Sequence, residues 1–170
     1  MQIKNYRTGE VIYEDAAKTI KATVEAAIKK GVRLCEANLA RVDLRGVDFR
    51  GAQLNEALLN NADLRGVKLH ETDLIGTKLR GVNLSETDLR GAILPGVNFN
   101  EANLTRADLR EANLIGANLE GANLAGAKLE RAKLDYINLM NANLHRAVLM
   151  ETDLAYADLT GAKLTGADLR

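Results

Sequence analysis

A hydrophobic residue occupies every fifth position of the chain from Leu34 to Leu169. These 28 consecutive positions hold 26 leucines together with Phe49 and Phe99, and no insertion or deletion interrupts them. A second restricted position lies two residues earlier in each case and holds 17 Ala, 6 Val, 4 Thr and Ile137. Asn, Asp or Lys usually separates the two positions, so each pentad contains a small residue, a polar residue, a large apolar residue and two variable residues.

This five-residue period excludes a long helix and a long strand. On an α-helix each step of five residues rotates the side chain by about 140°, so the leucines would form no apolar stripe. On a continuous strand, successive leucines would point to opposite faces. The chain must therefore turn once per pentad, with the small residue and the Leu pointing inward from a short extended segment. We expect Leu104→Asp to unfold the middle of this solenoid, because it buries an unpaired charge.

The two residues after each central Leu are predicted to form the corner. Twelve of the 14 glycines lie at the second of these positions, where glycine accepts turn dihedral angles that other residues resist. Glu occupies the same position seven times, as in Glu101 and Glu111. The sequence therefore predicts that only some corners need a positive φ and that two turn types coexist.

Four corners per coil would give 20 residues per coil. Two sets of residues recur at multiples of 20: Arg50, Arg90, Arg110 and Arg170, and the pair Tyr136 and Tyr156. The motif A-(D/N)-L-x-x, as in residues 117–126, resembles the pentapeptide-repeat family over residues 31–170. This resemblance implies an all-β solenoid, a right-handed quadrilateral β-helix of about seven four-pentad coils.

Residues 1–30 lack the repeat. Ile3 and the apolar residues 11–13 flank a polar segment at 7–10, which predicts a small hairpin. Residues 15–30 are predicted to be an α-helix, because apolar residues recur every four positions, at Ala16, Ile20, Val24 and Ile28. A solenoid exposes an open core and an unpaired edge at each end. We therefore interpret residues 1–30 as an N-terminal cap on a β-helix of residues 31–170.

The balance of acidic and basic residues argues against two classes of partner. Lys plus Arg equals Asp plus Glu, 23 against 23, which removes the simplest argument for direct nucleic-acid or membrane binding. The single cysteine, Cys35, is compatible with a reducing compartment. No apolar run approaches the ~18 residues of a membrane span. We expect a cytoplasmic bacterial protein.

Residues capable of catalysis are few. His70 and His145 fall on different faces of a four-sided coil, and Cys35 has no histidine on its face. The glycines follow the pentad and form no phosphate-binding loop. The sequence therefore predicts a protein that is not an enzyme, with no cofactor and no metal.

Apolar residues at outward positions are the main candidates for an interaction surface. Ile75, Pro95 and Ile115 share one outward slot in consecutive coils, and Tyr136 and Tyr156 lie further along the same face. Such columns arise either from packing between identical slots or from a partner or dimer surface. The candidate interaction residues are Ile75, Ile115, Tyr136, Tyr156, Met140, Met150 and Leu169.

Arginines form a second candidate surface. Arg50, Arg90 and Arg110 each follow an outward Asp by two residues on one face. This arrangement is either a ladder of exposed ion pairs, each contributing about 0–1 kcal/mol, or an arginine stripe for docking.

Two classes of function remain open. The first is a non-catalytic structural or protein-binding module, with a possible homodimer through the C-terminal coil, where the sequence contains no segment resembling a cap. The alternative implied by the resemblance is a DNA mimic that binds DNA gyrase and modulates quinolone sensitivity. The chain departs from that pattern, since its repeat region carries 19 acids and 17 bases, only two central Phe and no loop insertion. A designed repeat is a third possibility, against which the irregular N-terminal segment argues.

Overall fold

The computed structural model describes residues 1–170 and begins with a small hairpin. Strands β1 (Gln2–Lys4) and β2 (Val11–Glu14) pair antiparallel, with Ile3 opposite Tyr13. The turn between them closes where the backbone N–H of Asn5 donates to the carbonyl oxygen of Glu10 at 2.8 Å. The hairpin buries Ile3 completely, so its inner face is part of the core.

Helix α1 (Ile20–Lys29) begins five residues later than the predicted start at residue 15. Thr19 is extended, with φ −132° and ψ 147°, and its side chain accepts a hydrogen bond from the N–H of Ala22. This N-cap fixes the start of the helix. Asp15, predicted to lie in the first turn, is outside the helix and accepts a hydrogen bond from the Thr23 hydroxyl at 2.8 Å.

The helix ends in a Schellman motif. Gly31 has φ +68°, and its N–H donates to the carbonyl oxygen of Ile28 at 2.9 Å. The N–H of Val32 donates to the carbonyl oxygen of Ala27 at 3.0 Å. These two bonds satisfy the last carbonyls of the helix and redirect the chain into the repeat.

The N-terminal segment packs directly on the first pentads. The N–H of Asn38 donates to the carbonyl oxygen of Lys4 at 2.8 Å, and that of Tyr6 donates to Glu36 at 3.0 Å. The apolar core is continuous across this junction. Its fully buried members there are Ile3, Val24, Ala27, Leu34, Ala37 and Leu39.

The repeat is held together by parallel backbone pairing between residues 20 apart, such as Asn98 with Asn118 and Asn118 with Asn138. The N–H of Leu119 donates to the carbonyl oxygen of Asn138 at 2.7 Å, which is typical of these bonds. Four pentads separate paired positions, and we call these 20 residues a coil. Each central Leu of the middle coils therefore lies between the central residues one coil before and one coil after it.

The interior is filled by the central residues of the pentads. Every central residue from Leu34 to Leu149 is at most 2% exposed. Three threonines at the small position are also buried, and two of them donate to carbonyls of an earlier coil. Thr77 donates to Leu54 at 3.1 Å and Thr87 donates to Leu64 at 3.0 Å, so their hydroxyls are buried with partners.

The corners differ from the prediction of two turn types, which is wrong. Every corner position from 36 to 166 has a positive φ, including Glu101 and Glu111, both at 61°. The N–H of Ala112 donates to the carbonyl oxygen of Leu109 at 3.1 Å across the corner, as in a type II turn. The N–H of Glu111 also donates to Glu130 in the next coil at 3.0 Å. These bonds offset the ~1–2 kcal/mol that a left-handed conformation costs a non-glycine residue.

The polar residue between the two inward positions stabilises the corner as well. At each Asp and Asn in this slot, the side-chain oxygen accepts a hydrogen bond from the N–H two residues later. Asn118, for example, accepts from Glu120 at 2.9 Å. This local bond explains why Asp and Asn are preferred at an outward position that other polar residues could fill.

Candidate functional site

One side of the solenoid carries a column of exposed apolar residues. We call it the tyrosine face, made of the pentads centred on Leu74, Leu94, Leu114, Leu134 and Leu154. Ile75, Pro95 and Ile115 occupy one outward slot in three consecutive coils, and Ile93 lies in the neighbouring slot. Ile75 is 46% exposed and Ile115 is 37% exposed. The coils place these side chains side by side, so they form a continuous apolar strip.

Two tyrosines continue this strip in the next two coils. The rings of Tyr136 and Tyr156 are stacked, with centroids 4.8 Å apart and planes 10° from parallel. They are 62% and 79% exposed. Both occupy corner positions, with φ of 57° and 59°. The 20-residue coil therefore brings together the two tyrosines that the sequence spacing singled out.

Charged residues around the tyrosines are mostly acidic. The four pentads on either side of the tyrosine corners, residues 132–141 and 152–161, contain three acids, Asp135, Asp153 and Asp158, of which the last belongs to the following face. None of the three forms an ion pair. The hydroxyl and N–H of Thr160 hold the pKa of Asp158 below its usual value, so this carboxylate stays ionised at neutral pH. Lys133 is the one base in these pentads. This end of the tyrosine face is therefore acidic and aromatic.

The other candidate interaction residues lie apart from this strip. Met140 is half-buried and belongs to the following face, whereas Met150 is 36% exposed and belongs to the preceding one. Leu169 is 51% exposed in the last coil. The structure therefore does not gather all seven candidates into one surface.

The arginines of the predicted stripe are paired with their own aspartates. Arg50, Arg90 and Arg110 contact the Asp two residues earlier, with shortest N–O distances of 2.6, 2.8 and 2.6 Å. In each case Nε and Nη2 both donate to the carboxylate. Hydrogen bonds from Arg90 lower the pKa of Asp88 to about 2. The stripe is thus a series of neutral pairs, which presents little net positive charge.

An equivalent ladder, which was not predicted from the sequence, lies on another face. Arg45 contacts Asp43 at 2.7 Å, Arg65 contacts Asp63 at 2.7 Å, and Arg45 also approaches Asp63 at 3.7 Å. The signal was present as the tripeptide D-L-R, which residues 43–45 share with residues 88–90. Since the same tripeptide forms the same bidentate pair on two faces, the pairing is a property of the pentad.

Residues capable of metal binding or catalysis are dispersed. His70 Nδ1 lies 2.9 Å from the carbonyl oxygen of Arg90, and His145 lies on a different face. No group of three His, Cys, Asp or Glu side chains could hold a metal ion. No helix has the length and apolar character needed to cross a bilayer.

The last coil differs from those before it. Its central residues Leu154, Leu159 and Leu164 are only half-buried, although they fill the same positions as fully buried leucines one coil earlier. Together with Leu169 they form an apolar end surface.

Comparison with known proteins places the chain in a family. The model of pentapeptide repeats matches eight copies, within residues 30–66, 48–85, 83–121, 107–146 and 132–170. A comparison with curated protein sequences finds no match.

Several solved structures are similar. QnrB1, a plasmid-mediated fluoroquinolone resistance protein, is 19% identical over 76% of this chain and 72% of that chain, with a TM-score of 0.52, a likeness that shows the fold alone. HetL, a pentapeptide repeat protein involved in heterocyst differentiation regulation in Nostoc sp. strain PCC 7120, is 26% identical over 87% of this chain and 94% of that chain, with a TM-score of 0.28. A pentapeptide repeat protein from the Arabidopsis thaliana thylakoid lumen is 33% identical over 78% of this chain and 71% of that chain, with a TM-score of 0.25. The family model, which matches residues 30–170 without a gap, confirms the resemblance carried by the A-(D/N)-L-x-x motif: the chain belongs to the pentapeptide-repeat family.

Proposed function

We propose that this protein is a non-catalytic protein-binding module of a bacterial cytoplasm and that its tyrosine face holds the partner. The observation that carries this proposal is the strip from Ile75 to Tyr156, which leaves large apolar side chains exposed in successive coils. Two other faces hold paired Asp and Arg in several of the equivalent outward slots. An exposed apolar strip that continues through several coils is characteristic of an interaction site.

The architecture that we propose for this module is a right-handed quadrilateral β-helix of about seven coils. The pairing of residues 20 apart supports four pentads per coil. Residues 1–30 would act as a cap, since their backbone pairs with residues 36–38 and their apolar side chains continue the core.

Site-specific photo-crosslinking tests the proposed binding face. We would place p-benzoylphenylalanine at Ile115 on the tyrosine face and, as a control, at Arg65 on another face, and irradiate the host cells. We expect discrete crosslinked protein species from position 115, and we expect these species to be absent when the probe is at position 65. Equal crosslinking from both positions, or none from 115, would overturn it.

The last coil is proposed to form a homodimer interface. Its half-buried leucines offer apolar area that a second copy could cover. Light scattering at micromolar concentration is expected to give twice the 18.5 kDa of the single chain. Leu164→Lys is expected to reduce this value to that of a monomer, and a wild-type monomer would contradict the proposal.

Gyrase binding is the alternative, which the family resemblance implies, and QnrB1, a fluoroquinolone resistance protein, shares the fold. The aspartates of both Asp–Arg ladders are neutralised by arginines in the same pentad, which opposes mimicry of a uniformly anionic duplex. We expect no change in gyrase supercoiling, with or without a quinolone, at a several-fold excess of this protein. Dose-dependent inhibition or drug protection would replace the first proposal with this one.

A further inference from the structure

The spacing of the tyrosine face restricts what can lie along it. Successive coils are about 4.8 Å apart, so the column of Ile75, Pro95 and Ile115 presents one apolar group per ~4.8 Å along the solenoid axis. A helix lying parallel to this axis presents a turn of side chains every ~5.4 Å, whereas an extended strand presents one on the same face every ~6.6 Å. The helix is the closer match over the short length of the strip.

Glycines provide room beside the column. The corner next to each of these residues is Gly76, Gly96 or Gly116, and a Cβ at Gly96 or Gly116 would meet nothing within 4 Å. The corner column is therefore low beside Pro95 and Ile115, and it rises at Glu56, whose Cγ lies 2.8 Å from the position of a Cβ at Gly76, and at Tyr136 and Tyr156. A cylindrical element could lie in this depression with its end against the tyrosines.

The tyrosines differ from the other corners in side chain and not in backbone. Every corner has a positive φ, and Tyr136 and Tyr156 share it at 57° and 59°. All other corner residues are Gly, Glu, Arg or Asn, so these two are the only aromatic corners. A stacked and largely exposed aromatic pair at positions that are elsewhere small or charged favours contact with a partner.

Charge distinguishes the two ends of the strip. At the Ile75 end, Asp73 and Lys78 balance each other. At the tyrosine end, Asp135, Asp153 and Asp158 outnumber Lys133. The outer ring faces of the tyrosines carry the negative part of the aromatic quadrupole, which attracts a guanidinium or ammonium group. The acidic surroundings favour the same cation.

From this complementarity we infer that the partner presents an amphipathic helix of about 13 residues, apolar along one side and basic at one end. Its aliphatic side chains pack on Ile75, Pro95 and Ile115, and its Arg or Lys side chains lie over Tyr136 and Tyr156. This inference rests on the proposed function and specifies the chemistry of the partner for that same face.

A designed peptide tests this chemistry directly. The probe is a fluorescein-labelled helical peptide of about 13 residues with Leu at positions 2, 6 and 9 and Arg at 12 and 13. Its matched control has Glu in place of both Arg, and binding to the full chain is followed by anisotropy. The inference expects at least about tenfold tighter binding of the Arg peptide, because one lost hot-spot contact weakens binding by that factor.

Variants of the protein supply the second comparison. Tyr136→Gly combined with Tyr156→Gly restores the residue found at the preceding corners, so the variant is expected to fold and to lose at least about tenfold in affinity. Asp135→Asn with Asp158→Asn is expected to reduce the preference for Arg over Glu, while Asn at 158 still accepts the N–H of Thr160, as Asn138 accepts that of Met140. Asn141→Gly, at a corner on another face, is the control and should bind like the parent protein.

The outcomes separate this inference from the proposed function. Equal binding of the Arg and Glu peptides, or unchanged binding by the double Tyr variant, would overturn the inferred chemistry. If crosslinks from position 115 appear while the Arg peptide fails to bind, the face binds a partner of different character and only this inference fails. If crosslinks from 115 are absent as well, the binding function of the face fails.

Discussion

The middle coils and the last coil contain the same pentads but bury them differently. Leu104, Leu124 and Leu144 are fully buried, whereas Leu164, at the same slot of the last coil, is half-buried. The sequence around these positions barely differs, since each Leu follows Ala and Asn or Lys. Burial in this fold is therefore supplied by the coil on either side rather than by the pentad itself. Four pairs of substitutions, taken from the largest expected effect to the smallest, test this difference.

Leu104→Asp and Leu164→Asp should show the largest difference in stability between the middle coils and the last coil. In the middle coil the carboxylate is buried without a partner, at a cost of several kcal/mol, which corresponds to a fall in Tm of more than about 10 °C. In the last coil of the monomer the same group can reach solvent, so both variants are compared at a concentration where light scattering shows a single chain. We expect circular dichroism to show a large fall in Tm for the first variant and a fall below about 4 °C for the second. A Tm for Leu104→Asp close to that of the parent would contradict the inward orientation of the central Leu.

Leu124→Ala and Leu164→Ala remove side chains without adding charge. The cavity left in the middle coil should cost about 2–5 kcal/mol of the free energy of unfolding. In the monomer, the half-buried Leu164 lacks contacts on one side, and its loss should cost about 1 kcal/mol there. Urea denaturation measures both values. If the cost at Leu164 rises to that at Leu124 at micromolar concentration, a second copy covers the last coil, as the homodimer proposal requires.

Gly121→Ala and Gly166→Ala test the corners. A Cβ at Gly121 meets nothing within 4 Å, so the substitution isolates the cost of φ +66°, about 1–2 kcal/mol. At Gly166 the Cβ would lie 3.3 Å from Cγ of Arg146, a flexible side chain, but the last coil can fray locally. We expect thermal melting to show a clear loss for Gly121→Ala and a smaller one for Gly166→Ala. A neutral Gly121→Ala would mean that the corners tolerate alanine at no cost.

Asp88→Asn and Asp168→Asn test the ion pairs through pH. Hydrogen bonds from Arg90 and Arg170 lower the pKa of Asp88 and of Asp168 to about 2. Because the folded pKa lies below the unfolded value near 3.9, this stability is present above pH ~4 and is lost as the pH falls towards 2. Asp88→Asn should reduce the loss of unfolding free energy between pH 5 and pH 2 by less than about 1 kcal/mol, since the ion pair is partly exposed.

Asp168→Asn is the matched control in this experiment, because Asp168 belongs to the last coil. We expect it to leave the acid dependence of global unfolding unchanged, as measured by urea denaturation from pH 5 to pH 2. An equal effect of both variants would show that the last coil unfolds together with the middle of the rod.

Much of this fold follows from the sequence because one rule repeats without interruption. The five-residue period excludes helix and strand, and the inward position of the Leu requires only this period and the hydrophobic effect. The corners could not be predicted from composition. Glu101 and Glu111 disfavour a positive φ locally, and only the backbone bonds between coils, which involve residues about 20 apart, decide the conformation.

The candidate surface was predictable only in part. The spacing of Tyr136 and Tyr156 was sufficient to place them together, but their stacking depends on side-chain geometry that the sequence does not specify. The sequence places Arg50, Arg90 and Arg110 two residues after an Asp but does not specify whether the two side chains meet. The N–O distances of 2.6–2.8 Å show that they form ion pairs.

The unbroken pentad register has a genetic consequence. An insertion or deletion of 20 residues within the repeat would lengthen or shorten the rod and leave every downstream side chain on its original face, because pairing joins residues 20 apart. A change of five residues would preserve the core and every corner, yet rotate the whole downstream surface by a quarter turn relative to the N-terminal segment. Duplication of a single pentad can thus change the face on which each downstream surface residue lies while the core stays the same. The number of pentads before a residue therefore determines the surface as much as the residue itself does.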